Sequence, residues 1–263
     1  MNPLLLAGLA TAVLCLGFVG IYILARRINN YGIVDIAWSY AFAVTGLIYA
    51  LGGTGALPRR IVLAVMVGVW SLRLGTHLYI RVMGHHPVED GRYVQLRHDW
   101  KDNFGPRMFR FFQMQAVSVV VLALPFLLAM SNADPSFHLL EIAGIVLWVI
   151  ALTGESLADA QLKRFKQDPA NRGKVCAVGL WRFSRHPNYF FEWMVWVSFA
   201  VFAAAAPWGW LGVVSPAIIL YLLLRVTGIP LTEEQSVRSR GDAYRAYQRT
   251  TSAFVPWFPR RAP

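Results

Sequence analysis

Charge is scarce in this chain. Only 15% of its 263 residues are charged, and its 14 acidic residues face 25 Lys and Arg. A solvated globular surface carries more charge than that, which argues against a soluble domain. Cysteine is nearly absent as well: Cys15 lies in an apolar run and Cys176 in a polar loop, matching neither a disulfide framework nor a zinc site, so no metal centre is expected. The sequence has no Gly-x-Gly-x-x-Gly and no Walker loop, which excludes a soluble nucleotide-binding fold as far as a motif can. No internal repeat, Ser/Gly linker or low-complexity tract divides it, so residues 1–263 read as a single integral domain. The first apolar run has no Lys or Arg before it, and Arg26 and Arg27 follow it, which suits a membrane anchor better than a signal peptide.

What the chain has in abundance is apolar surface. Hydrophobic residues make up 56%, with ten Trp, sixteen Phe and a mean hydropathy of +0.45, more than a core of this size needs, so the surplus faces lipid. Stretches near the roughly 20 residues needed to cross a bilayer fall at 3–24, 32–52, 61–80, 112–131, 139–158, 189–206 and 209–229. The expected fold is an all-α polytopic membrane bundle of about seven transmembrane helices. Of the 25 Lys and Arg, 22 lie in 24–31, 81–110, 159–188 and 225–263; Arg59, Arg60 and Arg73 are the exceptions. The positive-inside bias then places the N-terminus outside and the C-terminus in the cytoplasm.

Polar groups set within hydrocarbon are costly and mark function. Asp35 lies just inside the second stretch, flanked by Trp38 and Tyr40. Arg73 and His77, Glu155 and Asp159, and Asn188 and Glu192 form three pairs spaced four apart, one helical turn each. Polar groups at a common depth in four spans suggest a shared cavity, although each alone could be an interfacial side chain that snorkels to water. The loops at 81–110 and 159–188 mix cations with aromatics. They fit either attraction to anionic lipid or a phosphorylated cofactor gripped by side chains from several loops.

The segment Gly179-Leu-Trp-Arg-Phe-Ser-Arg-His-Pro-Asn-Tyr-Phe-Phe-Glu192 resembles a signature shared by membrane steroid 5-alpha-reductases, sterol C14 reductases and isoprenylcysteine carboxyl methyltransferases. Three further segments narrow the resemblance to the bacterial branch of the steroid 5-alpha-reductase-like family. They are Ile33-Val-Asp-Ile-Ala-Trp38, Glu89-Asp-Gly-Arg-Tyr93, and the ending from Thr227-Gly-Ile-Pro-Leu231 through Tyr244-Arg-Ala-Tyr247 to Phe254-Val-Pro-Trp257.

That resemblance implies reduction of a carbon–carbon double bond conjugated to a ketone, with hydride from NADPH delivered to the beta carbon of a 3-oxo-delta-4 steroid or steroid-like lipid. Asp35 stands where the family has a glutamate and is the expected catalytic acid, kept protonated by apolar neighbours so that it donates to the developing enolate. Trp38 and Trp70 are expected to line the substrate site, Trp70 standing where the family has a tyrosine. By carry-over, Asn188 and Glu192 take the nicotinamide end and Asp159 a ribose hydroxyl, while Glu155 replaces a family asparagine. Arg73, Arg92, Lys163, Lys166 and Lys174 are expected to hold phosphates. The expected partners are a hydrophobic small molecule and membrane lipid, with no nucleic acid, in an inner membrane with the cofactor site facing the cytoplasm. Two alternatives remain open: an S-adenosylmethionine-dependent lipid or isoprenylcysteine methyltransferase, and a non-catalytic lipid-binding or transport protein.

Overall fold

The computed structural model describes residues 1–260, and all regular structure in them is helical. Five helical stretches are long and apolar enough to cross a membrane: Pro3–Ile28, Ile33–Gly52, Leu57–Met83, Leu139–Gln167 and Gly209–Arg240. A sixth arises if Lys101–Leu122 and Leu124–Met130, which meet at 40°, count as one bent span. Sequence reading expects seven. The stretch expected at 112–131 breaks at Ala123 because Pro125, lacking an N–H, cannot continue the helical hydrogen bonding. The stretch expected at 189–206 forms Pro187–Ala203, whose 17 residues reach about 25 Å, short of a hydrocarbon core of about 30 Å.

The described residues pack as two compact units. The first comprises Met1–His138 and Ala203–Leu211. Its helices are α1 (Pro3–Ile28), α2 (Ile33–Gly52), α3 (Leu57–Met83), α4 (Gly91–Asp99), α5 (Phe104–Leu122) and α6 (Leu124–Met130). In α1, Leu6, Ala10, Leu14, Phe18, Tyr22 and Ala25 recur every three or four residues and are buried on one stripe, while Leu4, Leu5, Leu16 and Leu24 stay exposed. An apolar outer face of this kind belongs against lipid. Asn29 ends α1 in the left-handed conformation that asparagine tolerates, turning the chain into α2.

Helices α2 and α3 approach closely because small residues face each other. A side chain at Gly75 would strike the Tyr40 ring at 2.5 Å, one at Gly46 would press on Val67 at 3.0 Å, and Ser71 Oγ donates to Ser39 O at 2.5 Å. Arg59 and Arg60, the cations that stand apart from the basic loops, have structural work at the start of α3. Arg59 is fully buried and donates to the carbonyls of Asn132, Asp134 and Ser136 at 2.8, 2.5 and 2.6 Å, with its guanidinium over Phe137. Arg60 donates to Ala50 O at 2.6 Å, satisfying an end carbonyl of α2.

The second unit comprises Leu139–Phe202 and the described residues from Gly212 on. It contains α7 (Leu139–Gln167), α8 (Pro187–Ala203), α9 (Val214–Tyr221), α10 (Ile229–Arg240) and α11 (Asp242–Thr250). A side chain at Gly144 would meet the Phe202 backbone at 2.9 Å, and one at Gly154 the Phe191 ring at 2.5 Å, so these glycines let α7 and α8 pack tightly. The tail returns along the segment before α8. A parallel bridge joins Ser184 to Ser252, Arg185 N donates to Ser252 O at 2.8 Å, and Trp257 N donates to Phe183 O at 2.9 Å.

Arg59→Ala leaves three loop carbonyls without their donor. Because charge-assisted hydrogen bonds are among the stronger ones, the expected loss is about 3 kcal/mol of stability. It should appear as a lower thermal midpoint of the purified chain in detergent, with Arg59→Lys in between; an unchanged midpoint in Arg59→Ala contradicts the anchoring role.

Candidate functional site

The most organised polar site of the first unit is at the start of α2. Asp35 is the third residue of that helix, with its side chain largely covered. Both its oxygens are engaged: Arg92 Nη2 donates to Oδ2 at 2.7 Å, and the Tyr93 hydroxyl donates to Oδ1 at 2.8 Å. Arg92 and Tyr93 reach it because Asp90 caps α4, accepting from Arg92 N at 3.0 Å and from Arg92 Nε at 3.2 Å. Glu89 fixes the same segment from the other side: it accepts from Tyr31 N at 2.6 Å and from Arg97 Nε at 2.6 Å. Arg97 also donates to Asn29 Oδ1 at 2.8 Å and lies over the Tyr31 ring, 4.7 Å from its centroid. The charged and aromatic residues of Glu89-Asp-Gly-Arg-Tyr93 thus clamp the α1–α2 turn and the head of α2.

Electrostatics follow from that packing. Tyr93 is 2% exposed; burial, and after it the negative charge of Asp35, push its phenol well above its ordinary pKa, so it holds its proton at neutral pH. Burial alone would lower Arg92, but Asp35, Tyr93 and Asp90 raise it further above the usual arginine value. Burial works against ionisation of Asp90, yet the charge and hydrogen bonds of Arg92 hold its carboxyl below the usual range.

Of the residues expected near substrate, Trp38 sits one turn after Asp35, donates through Nε1 to Ser118 Oγ at 3.0 Å and packs edge-on against Phe42. Trp70 is fully buried with its ring against Phe42. Arg73 is half-buried on α3, and Arg92, expected on a phosphate, is bonded to Asp35. Sequence reasoning missed Tyr93, because the resemblance puts the family's tyrosine at the position of Trp70, within α3. The available signal was the Asp-Gly-Arg-Tyr pattern itself, an N-cap followed by two side chains on the first turn.

The second unit brings the other expected residues together. Asn188 Nδ2 donates to Asp159 Oδ1 at 3.3 Å, so the polar turn of α7 faces that of α8. One turn further along α8, Glu192 accepts from Trp196 Nε1 at 3.0 Å, and Glu155 is buried on α7. Lys163 and Lys166 are exposed on the last turns of α7, and Lys174 is exposed in the following loop. A second network, unforeseen from sequence, fixes the approach to α8. Glu233 Oε1 accepts from Arg185 Nε at 2.5 Å and contacts His186 Nε2 at 3.3 Å, while Glu233 Oε2 accepts from Gln248 Nε2 at 2.9 Å. Tyr247 donates to Trp181 O and, at 3.2 Å, to Ser184 O.

Residues 21–251 match the family described as protein of unknown function (DUF1295). The chain is also similar to the uncharacterized protein C594.04c of Schizosaccharomyces pombe, 29% identical over 262 residues that cover 87% of this chain and 73% of the yeast protein. No solved structure matches the chain.

Tyrosine burial gives the fold a pH limit. Burial raises Tyr31, Tyr93 and Tyr247, and it pushes Tyr244 up to about 12, with Glu233 adding to it. Folded chains therefore keep protons that unfolded chains lose near pH 10, so this contribution is complete below about pH 10 and disappears as pH rises toward 12. The thermal midpoint should fall across that window, less steeply in Tyr93→Phe; an identical slope in that variant contradicts the assignment for Tyr93.

Proposed function

We propose, for a chain that belongs to the DUF1295 family of proteins of unknown function, that it is an NADPH-dependent membrane reductase of a double bond conjugated to a ketone, acting on a steroid or steroid-like lipid. The observation that carries the reading is the convergence of Arg92 and Tyr93 on both oxygens of Asp35 at the head of an apolar helix. NADPH, when bound, supplies the hydride to the beta carbon. Negative charge then develops on the carbonyl oxygen, where preorganised donors contribute most. The Tyr93 phenol, which in this structure donates to Asp35 Oδ1, gives up that bond and turns its one proton to the carbonyl oxygen, while Arg92 stays on Asp35 Oδ2 and offsets the accumulating charge. Donation falls to Tyr93, which Asp35 holds at the site until substrate arrives.

The donor set of the second unit suits the cofactor. Asn188 and Glu192 offer an amide and a carboxylate for the nicotinamide carboxamide, and Asp159 an acceptor for a ribose hydroxyl. Lys163, Lys166 and Lys174 would meet phosphates. The same reading puts the protein in a bacterial inner membrane with the cofactor entering from the cytoplasm. Methyl transfer from S-adenosylmethionine would leave the Asp35, Arg92 and Tyr93 arrangement without a task.

Purified full-length chain should oxidise NADPH when given a 3-oxo-delta-4 steroid. Tyr93→Phe should lower turnover by about 100- to 1000-fold with NADPH affinity unchanged, the usual effect of removing one such donor. Wild-type turnover in that variant removes Tyr93 from the chemistry. Consumption of S-adenosylmethionine with no use of NADPH replaces the reductase reading with the methyltransferase one.

A further inference from the structure

Helix α7 has two faces at its polar end. Its 29 residues span about 43 Å, more than a hydrocarbon core of about 30 Å, so the turns bearing Gln161, Lys163, Arg164, Lys166 and Gln167 reach headgroup depth. By the 3.6-residue period, Asp159, Lys163 and Lys166 share one face, and Gln161, Arg164 and Phe165 lie on the opposite one. That opposite face borders an open groove of about 400 Å³, lined by Gln161, Arg164, Phe165, Asp168, Asn171 and Val178.

The groove is built. Gln161 Oε1 accepts from Leu180 N at 2.9 Å, and Gly179, at φ +56°, passes so close to the Gln161 side chain that a Cβ would lie 2.5 Å from it. Asp168 Oδ1 accepts from Ala170 N at 2.9 Å, and Asn171 Nδ2 donates to Phe165 O at 3.2 Å, which sets the far wall. Arg164 stands on the last turn of α7, and Asp168 lies just past its end as the cap of the short turn Pro169–Asn171; no ion pair joins the two. Both line the groove with Phe165 and the half-exposed Val178, and Asp168 Oδ2 also accepts from Asn171 Nδ2 at 3.4 Å, which leaves that carboxylate oxygen one further lone pair.

We propose that this groove binds the headgroup of a zwitterionic phospholipid with a primary ammonium, phosphatidylethanolamine in chemical class, at a site separate from the proposed cofactor residues. Arg164 donates to the lipid phosphate, Asp168 accepts from the ammonium, and Phe165 and Val178 cover the glycerol and upper acyl carbons. One cation and one anion make the groove neutral, matching a zwitterion better than an anionic headgroup. A quaternary choline ammonium has no N–H to give Asp168. The inference does not depend on the reductase reading.

Native mass spectrometry of the full chain in detergent, with equimolar dioleoyl phosphatidylethanolamine, phosphatidylcholine and phosphatidylglycerol, tests it. The expected result is preferential retention of phosphatidylethanolamine. Arg164→Gln should lower that retention about tenfold, as loss of a charge-assisted bond does. Asp168→Asn, which keeps an oxygen for Ala170 N–H, should bring it down to the level of phosphatidylcholine, with both variants eluting as monodisperse protein. Wild-type retention in Arg164→Gln, or a preference for phosphatidylglycerol, overturns the proposal. Displacement of the lipid by NADPH also overturns it, giving the groove to a nucleotide phosphate.

Discussion

A carboxyl group three residues into an apolar helix has to find partners, and in the first unit much of the polar structure meets that need. Asp35 receives a guanidinium on one oxygen and a phenol on the other. Neither donor would be in place without Asp90 capping α4, and α4 would not lie over the head of α2 without Glu89 bonding Tyr31 N and Arg97. Removing one member of such a buried network strands the others, so the loss exceeds that of a single bond. The five residues from Glu89 to Tyr93 therefore act as one piece.

The second unit solves a related problem with its own carboxylate. Arg185 and His186 stand immediately before Pro187, the first residue of α8, and both meet Glu233 of α10. Arg185 also donates to the carbonyls of Gln248 and Thr251, and Ser184 Oγ donates to Phe254 O at 2.8 Å. The segment Ser184-Arg-His-Pro is thus a joint that fastens the C-terminal helices to the start of α8. Asn188, one residue past the proline, inherits its position from that joint. A segment that resembles a family signature is here, in good part, a structural joint.

Hydropathy made the long helices legible, since α1, α2, α3 and α7 are continuous apolar runs and lipid imposes a length on them. It says less where local chemistry intervenes: Pro125 bends one expected span, and α8 is shorter than a hydrocarbon core. Charge counting placed Arg59 and Arg60 outside the basic loops but could not say why, because their partners are backbone carbonyls that only folding brings near. Asp35 was legible as an acid in the wrong solvent. Its partners were not, because Arg92 and Tyr93 are 57 and 58 residues away in sequence, and an arginine in a loop reads equally well as a ligand for phosphate or for carboxylate. The groove beside Arg164 was invisible because its other walls, Asp168 and Asn171 past the end of α7 and Val178 of the returning loop, come beside Arg164 only on folding.

In the proposed reduction of an enone, Asp35 and Arg92 act as one unit with Tyr93. Turnover of Asp35→Asn, Arg92→Gln and the combined variant, each shown to be folded and to bind NADPH, tests it most directly. Groups that work together are strongly non-additive, so each single change should cost about 100-fold and the double change little more than the worse single one. Losses that multiply in the double variant, or an Asp35→Asn enzyme that turns over at the wild-type rate, would contradict the account.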